Sequence, residues 1–352
     1  MEQKIFKTIG GLVKALEGTK TMLVCGSSFD KLDISKDIEK LDIVRFGGFA
    51  PNPLYEDVCS GADLFCSNNC TAILAVGGGS AMDVAKCIKL FATMDRSKNC
   101  LEQPFCDNDI PLFAIPTTAG TGSEATKHAV IYYNGEKQSV SHPSIVPQAV
   151  CLLPQVLKNL PLYQKKCTML DALCQAIESW WSVNSTQESI GYSKKAVEII
   201  RDNWQDYIVN DSQQAAAQIL LAANLSGKAI NITATTAPHA MSYKLTSLYG
   251  IPHGHAVALC LPEVWQYMLT HTGDCIDPRG KAHLEQVFAD MPVGVQWFCQ
   301  LMEKLGMNSP AAEDRGRDME ILTRSVNPVR LKNNPVLLTE QTLRTLYERI
   351  VK

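Results

Sequence analysis

Four residues in the second half of the chain carry donor atoms that suit a transition-metal ion: Asp171, Gln175, His239 and His253. Asp171 and Gln175 stand four apart in TMLDALCQAIESWW, so in a helix they share one face. His239 lies in TTAPHAMSY and His253 in GIPHGHAVALCLP. Carboxylate and imidazole ligands suit iron or zinc. Such an ion can act as a Lewis acid on a carbonyl or alkoxide oxygen. Each histidine could equally be a satisfied core residue, and spacing between distant segments does not show that they meet.

Two glycine-rich stretches could hold phosphate. In AILAVGGGSAMDVAK, Ala72–Lys86, an apolar run enters Gly77, Gly78, Gly79 and Ser80 and then a helical pattern. Glycines let backbone N–H groups approach a pyrophosphate, and a helix N-terminus adds a favourable dipole. The stretch is not G-x-G-x-x-G, and a tight β–α turn without a ligand remains the plain alternative. In IPTTAGTGSEAT, Ile115–Thr126, hydroxyls and glycines again follow an apolar run. A loop of this kind can wrap phosphate, ribose or nicotinamide with hydroxyl and backbone donors.

The elements that must position these residues divide the chain. Strand patterns at Thr21–Cys25, Asp42–Phe46, Ala72–Val76 and Pro111–Ile115 alternate with helical ones, which predicts a parallel sheet covered on both faces. Ligands bind at the carboxyl ends of such strands, where both glycine-rich loops fall. After about Pro161 helical windows take over: Gln164–Ser182, Glu188–Ile208, Gln213–Asn231, Ala234–Leu248 and Gly254–His271. The expectation is an α/β dinucleotide-binding domain over 1–160 and an all-α metal- and substrate-binding domain over 161–352, with Val326–Pro335 as a loop.

The 352 residues are 46% hydrophobic and 20% charged, with a net charge of −3, so no strong field draws nucleic acid or an anionic membrane. No apolar run is long enough to span a bilayer, and the polar Met1–Lys7 does not resemble a signal peptide. The 13 cysteines are odd in number and include no C-x-x-C pair, which predicts reduced thiols and a cytoplasmic location.

Taken together, Pro51-Asn52-Pro53, GGGSAMDVAK, PTTAGTGSE, Asp171-Ala172-Leu173 and Pro252-His253-Gly254 followed by Leu261-Pro262 resemble the iron-containing (group III) alcohol dehydrogenases. The resemblance runs over nearly the whole chain and implies a dehydroquinate synthase-like fold. In that family the metal is held by an Asp and a His four apart and by two His fourteen apart; His239 and His253 keep the second spacing. The resemblance implies Asp171, His239 and His253 as metal ligands. It puts Gly77, Gly78, Gly79, Ser80 and Asp83 at the pyrophosphate, Thr117, Thr118, Thr121 and Ser123 along the nicotinamide, and Lys137 near the cofactor ribose. Gln175 departs from the pattern, standing where the iron enzymes carry His. An amide oxygen is a weaker ligand than imidazole, so the metal could be zinc instead of iron.

The chemistry implied is reversible hydride transfer between nicotinamide and a carbonyl carbon, with His253 among the catalytic metal ligands and Tyr243, one turn after His239, as a candidate proton relay. NADP(H) is expected over NAD(H). The first strand ends at Gly26, Ser27 and Ser28 with no acid to repel a 2′-phosphate, although Asp30 and Lys31 are near. Within the family, GKAINITATTAPHAMSYKLTSLYGIPHGHAVAL looks like the hydroxyethylphosphonate dehydrogenases, also called phosphonoacetaldehyde reductases. That implies a small phosphonate aldehyde as substrate, its anionic head held by Lys228 or Lys244, and family analogy suggests a homodimer. A glycerol or other polyol dehydrogenase, a dehydroquinate synthase-like lyase, and a non-catalytic protein that has lost its metal are the alternatives.

Overall fold

A computed structural model describes residues 3–352. Two compact units are present: the chain up to Leu160 together with Asp211–Gly227, and Pro161–Asn210 together with Lys228–Lys352. The boundary near residue 160 is therefore crossed once, by 211–227, which groups with the first unit.

The first unit is built on a six-stranded sheet in the order β1-β8-β5-β4-β2-β3, with every pairing parallel. Its strands are β1 (Lys4–Phe6), β2 (Thr21–Cys25), β3 (Ile43–Phe46), β4 (Ala72–Gly77), β5 (Leu112–Pro116) and β8 (Ala149–Cys151). β2 and β5 are buried along their whole length and β4 up to its last residue, Gly77. Their unbroken apolar runs suit strands covered on both faces. Helices α1 (Ile9–Leu16), α2 (Ser35–Ile38), α3 (Tyr55–Ser67) and α4 (Gly79–Phe91) link them. Four strands go beyond the expected four in this part of the sequence: β1 and β8, of three residues each, and the two arms of a separate hairpin, β6 (His128–Tyr133) and β7 (Glu136–Ser141). The hairpin turns at Asn134 and Gly135, both at positive φ (51° and 76°). That conformation is what Asn-Gly turns supply.

The second unit is helical. It contains α5 (Leu162–Trp181), α6 (Gln187–Ile208), the end of α7 (Gln213–Thr233), α8 (Ala237–Tyr249) and α9 (His253–Thr270). These are followed by α10 (Lys281–Asp290), α11 (Val295–Leu305), α12 (Arg315–Ser325), α13 (Pro328–Leu331) and α14 (Glu340–Ile350). Every residue of α5 from Met169 to Trp181 is buried, so this helix is the axis of the unit, with α6 and α9 against it. Gly250, left-handed at φ 65°, ends α8 and lets the chain turn into α9. The expected loop Val326–Pro335 contains the short helix α13, which starts at Pro328 with Asn327 capping it. All 13 cysteines are free thiols, and no described helix is long and apolar enough to cross a membrane.

Candidate functional site

The second unit brings three of the four expected metal residues together. Asp171 comes from α5, His239 from the first turn of α8, and His253 is the first residue of α9. One ligand atom from each lies within 4.8 Å of the other two. Gly254 allows this approach: a Cβ there would run into the Cys167 carbonyl oxygen and stand 3.0 Å from the Asp171 Cβ.

The polar contacts around this cluster leave a place for a cation. His239 Nδ1 is 2.7 Å from Glu178 Oε2, and Glu178 also accepts from the backbone N–H groups of Thr236 (3.1 Å) and His239 (3.0 Å). A proton on Nδ1 therefore has a carboxylate partner, and the Nε2 lone pair faces Asp171 Oδ1 at 3.3 Å. Both of those atoms are buried and neither has a hydrogen-bond donor. With Nε2 unprotonated these are two facing acceptors, which repel unless a metal ion lies between them, and a buried acceptor without a partner costs roughly 1–3 kcal/mol. Burial opposes charge on His239, but the Glu178 and Asp171 carboxylates outweigh it and push its pKa up to about 9. Burial likewise raises Asp171, yet His239 and His253 bring it below the usual carboxylate value. With its pKa at about 9 the His239 imidazole is protonated near neutrality, so the positive charge that the two carboxylates draw is a proton on Nε2 or a metal ion that displaces it. His253 Nε2 is 4.0 Å from Asp171 Oδ1. The donor set, the orphaned atoms and the carboxylate behind His239 all fit a divalent metal.

Gln175 stands one turn after Asp171, and its Nε2 lies 3.3 Å from Asp171 Oδ2, holding that carboxylate. Tyr243 stacks on the His253 ring, centroids 5.4 Å apart and nearly parallel at 12°. Its hydroxyl oxygen accepts from Arg330 Nη1 at 2.7 Å. Burial raises the Tyr243 pKa, so the phenol keeps its proton near neutrality. Lys228 Nζ lies 5.9 Å over the Tyr192 ring, and Lys244 is half-buried on α8.

In the first unit the two glycine-rich loops leave adjacent strands side by side. Gly77 is paired with Pro116 at the ends of β4 and β5, and Thr117 N–H donates to the Gly77 carbonyl at 2.9 Å. A Cβ on Gly78 would come within 3.3 Å of the Thr118 side chain, and one on Gly79 within 3.3 Å of Thr121. With Gly78 as N-cap, α4 directs its first N–H groups out of a turn without side chains. Other expected cofactor residues are engaged within the unit. Ser80 Oγ donates to the Pro51 carbonyl. Asp83 accepts from Ser123 Oγ (3.0 Å) and from Val130 N–H (3.1 Å). The buried Lys86 donates to Ser123 Oγ (2.9 Å), Thr126 Oγ1 (3.1 Å) and the His128 carbonyl (2.7 Å). Asp83 and Ser123 thus fasten the second loop to α4 and β6. Burial pushes Asp83 up to about 6 and Lys86 down to about 8. Lys137, on β7, is near enough to favour the charged form of Asp83. Gly26 follows β2 with nothing within 4 Å of a Cβ, and Ser27 and Ser28 are exposed. Asp30 is occupied by Arg45, with Nη1–Oδ1 2.5 Å and Nη2–Oδ2 3.0 Å.

The profile of iron-containing alcohol dehydrogenases matches residues 1–154, and that of the C-terminal part of the same family matches 166–351. This chain belongs to the iron-containing alcohol dehydrogenase family. Among family members it is 38% identical over 228 residues to a phosphonoacetaldehyde reductase of Streptomyces viridochromogenes. That match covers 61% of this chain but only 58% of the Streptomyces enzyme, under two thirds of its length. It is 29% identical over 304 residues to a probable alcohol dehydrogenase, EutG, of Salmonella typhimurium, covering 84% and 76% of the two chains. A solved structure, sulfoacetaldehyde reductase of Bifidobacterium kashiwanohense in complex with NAD+, superposes with a TM-score of 0.86 at 25% identity, covering 99% of this chain and 96% of that one.

Three polar residues of the site lay outside the sequence reading. Glu178 had a signal: with Asp171 and Gln175 it makes an i, i+4, i+7 polar stripe through the mostly apolar stretch Met169–Trp181 of the helix. Arg330 and Arg45 had none, because only the tertiary fold brings them to Tyr243 and Asp30.

Proposed function

We propose that the chain is a metal-dependent, NAD(P)-linked aldehyde reductase that converts phosphonoacetaldehyde to 2-hydroxyethylphosphonate. The carrying observation is the buried, donor-less pair Asp171 Oδ1 and His239 Nε2, backed by Glu178, with His253 beside them. The choice of substrate rests on the likeness to the Streptomyces reductase.

In this reading Asp171, His239 and His253 hold an iron or zinc ion, with Gln175 beside Asp171 as a weaker fourth contributor. When bound, such an ion supplies Lewis acidity to a carbonyl oxygen. Glu178 holds His239 in the tautomer that presents Nε2. Tyr243, protonated near neutrality, keeps a donor for the oxygen that gains negative charge as hydride arrives. Gly77, Gly78, Gly79 and Ser80 would take the pyrophosphate on backbone N–H groups. Thr117, Thr118 and Thr121 would line the nicotinamide side, Ser123 and Asp83 would keep that loop in place, and Lys137 would serve the ribose. The adenosine ribose would meet Gly26, Ser27 and Ser28, a turn with room for a 2′-phosphate, so NADP(H) is favoured. The anionic head of the substrate calls for basic groups on the second unit, for which the sequence offers Lys228 and Lys244.

The test follows nicotinamide absorbance while the metal-loaded protein meets phosphonoacetaldehyde, propanal and glyceraldehyde, with NADPH and NADH in turn. The reading expects phosphonoacetaldehyde to have the highest kcat/KM; preference for glyceraldehyde would move the assignment to a polyol dehydrogenase.

A further inference from the structure

Arg330 occupies an unusual position for an arginine. It is half-buried on α13, in a segment that folds back over α8. The guanidinium lies with Cζ 4.9 Å from the centroid of the Tyr243 ring and donates from Nη1 to its hydroxyl at 2.7 Å. Tyr243 in turn stacks on His253, so this cation is one side chain removed from a candidate metal ligand.

Of the other arginines of the second unit, five are matched by acids: Arg201 with Asp202, Arg279 with Asp277, Arg324 with Glu320, Arg344 with Glu348 and Arg349 with Glu263; Arg315 and Arg317, without an ion pair among the described residues, are exposed. Arg330 faces a neutral phenol instead, and among the described residues it makes no ion pair. One bond to a tyrosine leaves most of the five donors of a guanidinium available. An arginine fork matches the geometry of phosphonate, sulfonate or carboxylate oxygens. The two lysines are placed less well for this task. Lys244 follows His239 by five residues, about 140° around the helix, whereas Tyr243 at four residues stays on the metal-facing side. Lys228 lies over Tyr192 on α6.

We propose that Arg330, steadied by Tyr243, is the receptor for an anionic head on the substrate, and that the enzyme therefore selects short aldehydes carrying an oxyacid group. The inference rests on the reductase reading above and deepens it. The segment around Arg330 is positioned independently of the arginine: Asn333 donates to the Thr235 carbonyl at 3.2 Å and accepts from Asn184 at 2.9 Å. Replacing Arg330 should therefore leave α13 in place.

The test uses the metal-loaded full chain and its Arg330→Met and Arg330→Lys variants, with thermal melts as a check of folding. Binding of methylphosphonate, which has the anion but no carbonyl, is measured by calorimetry. In parallel, kcat/KM is measured for phosphonoacetaldehyde and for propanal. Arg330→Met should weaken methylphosphonate binding roughly tenfold or more and lower kcat/KM for phosphonoacetaldehyde about 10- to 100-fold more than for propanal, because the lost bond to Tyr243 touches both aldehydes alike. Arg330→Lys, which keeps the charge but loses the fork, should fall between. The proposal is overturned if wild-type protein does not bind methylphosphonate, if Arg330→Met binds it unchanged, or if both aldehydes decline by the same factor. A specific loss in Lys228→Met with Arg330→Met unaffected would overturn it in favour of the lysine. If no aldehyde is reduced by wild type but methylphosphonate binding still depends on Arg330, the reductase reading fails and the anion site stands.

Discussion

Glu178 is the residue whose removal separates a metal site from a mere cluster of polar side chains. Its carboxylate bonds to His239 Nδ1 and to two backbone N–H groups. Loss of a carboxylate behind a ligating histidine typically weakens metal binding about 10- to 100-fold. Glu178→Gln should therefore raise the metal dissociation constant by that factor, read by competition with a chelator, while the fold persists. A variant that binds metal as tightly as wild type would show that Glu178 serves packing alone. His253→Ala should lower bound metal and turnover together without unfolding, because His253 is half-exposed at the start of α9 and not in the core. Wild-type turnover by a metal-free His253→Ala protein would rule out Lewis-acid chemistry here. The candidate ligands could be picked out in the sequence through the family resemblance, in which two His stand fourteen apart, and the fold brings Asp171, His239 and His253 together. Arg330 could not be picked out, because its segment has no periodicity and its partner is 87 positions away.

At the scale of elements, glycines set how closely the pieces of each unit approach. Gly254 admits α9 to the surface of α5 beside Asp171, where any Cβ collides with the Cys167 carbonyl. Gly254→Ala should push the start of α9 away and weaken metal binding more than it lowers the melting temperature. Equal metal affinity in the variant would mean that α9 yields without moving His253. Gly122 is left-handed at φ +57°, and a Cβ there would stand 2.5 Å from the Gly227 Cα. Gly122→Ala should cost roughly 1–3 kcal/mol of stability, measured by denaturant unfolding. Gly26 is the opposite case, with open space around a Cβ. Gly26→Asp should fold normally and shift coenzyme preference toward NAD, read as the ratio of kcat/KM for NADPH and NADH; an unchanged ratio would place selectivity elsewhere, with Arg45 the next residue to examine. Long apolar strands and long helices could be read from pattern because burial leaves a periodic trace. β1 and β8 could not, since three residues are too few for a period. The β6–β7 hairpin did carry a local mark in Asn134-Gly135.

For the whole molecule, chain order and spatial grouping part company at one place, where residues 211–227 join the first unit. Composition could not reveal this, because α7 is a continuous helix whose sequence does not change character at Gly227. The two family profiles, over 1–154 and 166–351, together reach both units, so the glycine-rich loops and the cluster of Asp171, His239 and His253 fall within one family pattern. Whether the metal cluster is required for turnover is tested most directly by stripping the full chain with a chelator, restoring it with zinc or iron, and following nicotinamide absorbance with phosphonoacetaldehyde in each state. The prediction is that the stripped protein retains less than about 1% of the restored rate, the size of effect expected when a group stabilising charge in the transition state is removed. A stripped protein, verified free of metal, that reduces phosphonoacetaldehyde as fast as the restored one would contradict the assignment of Asp171, His239 and His253 as a catalytic metal centre.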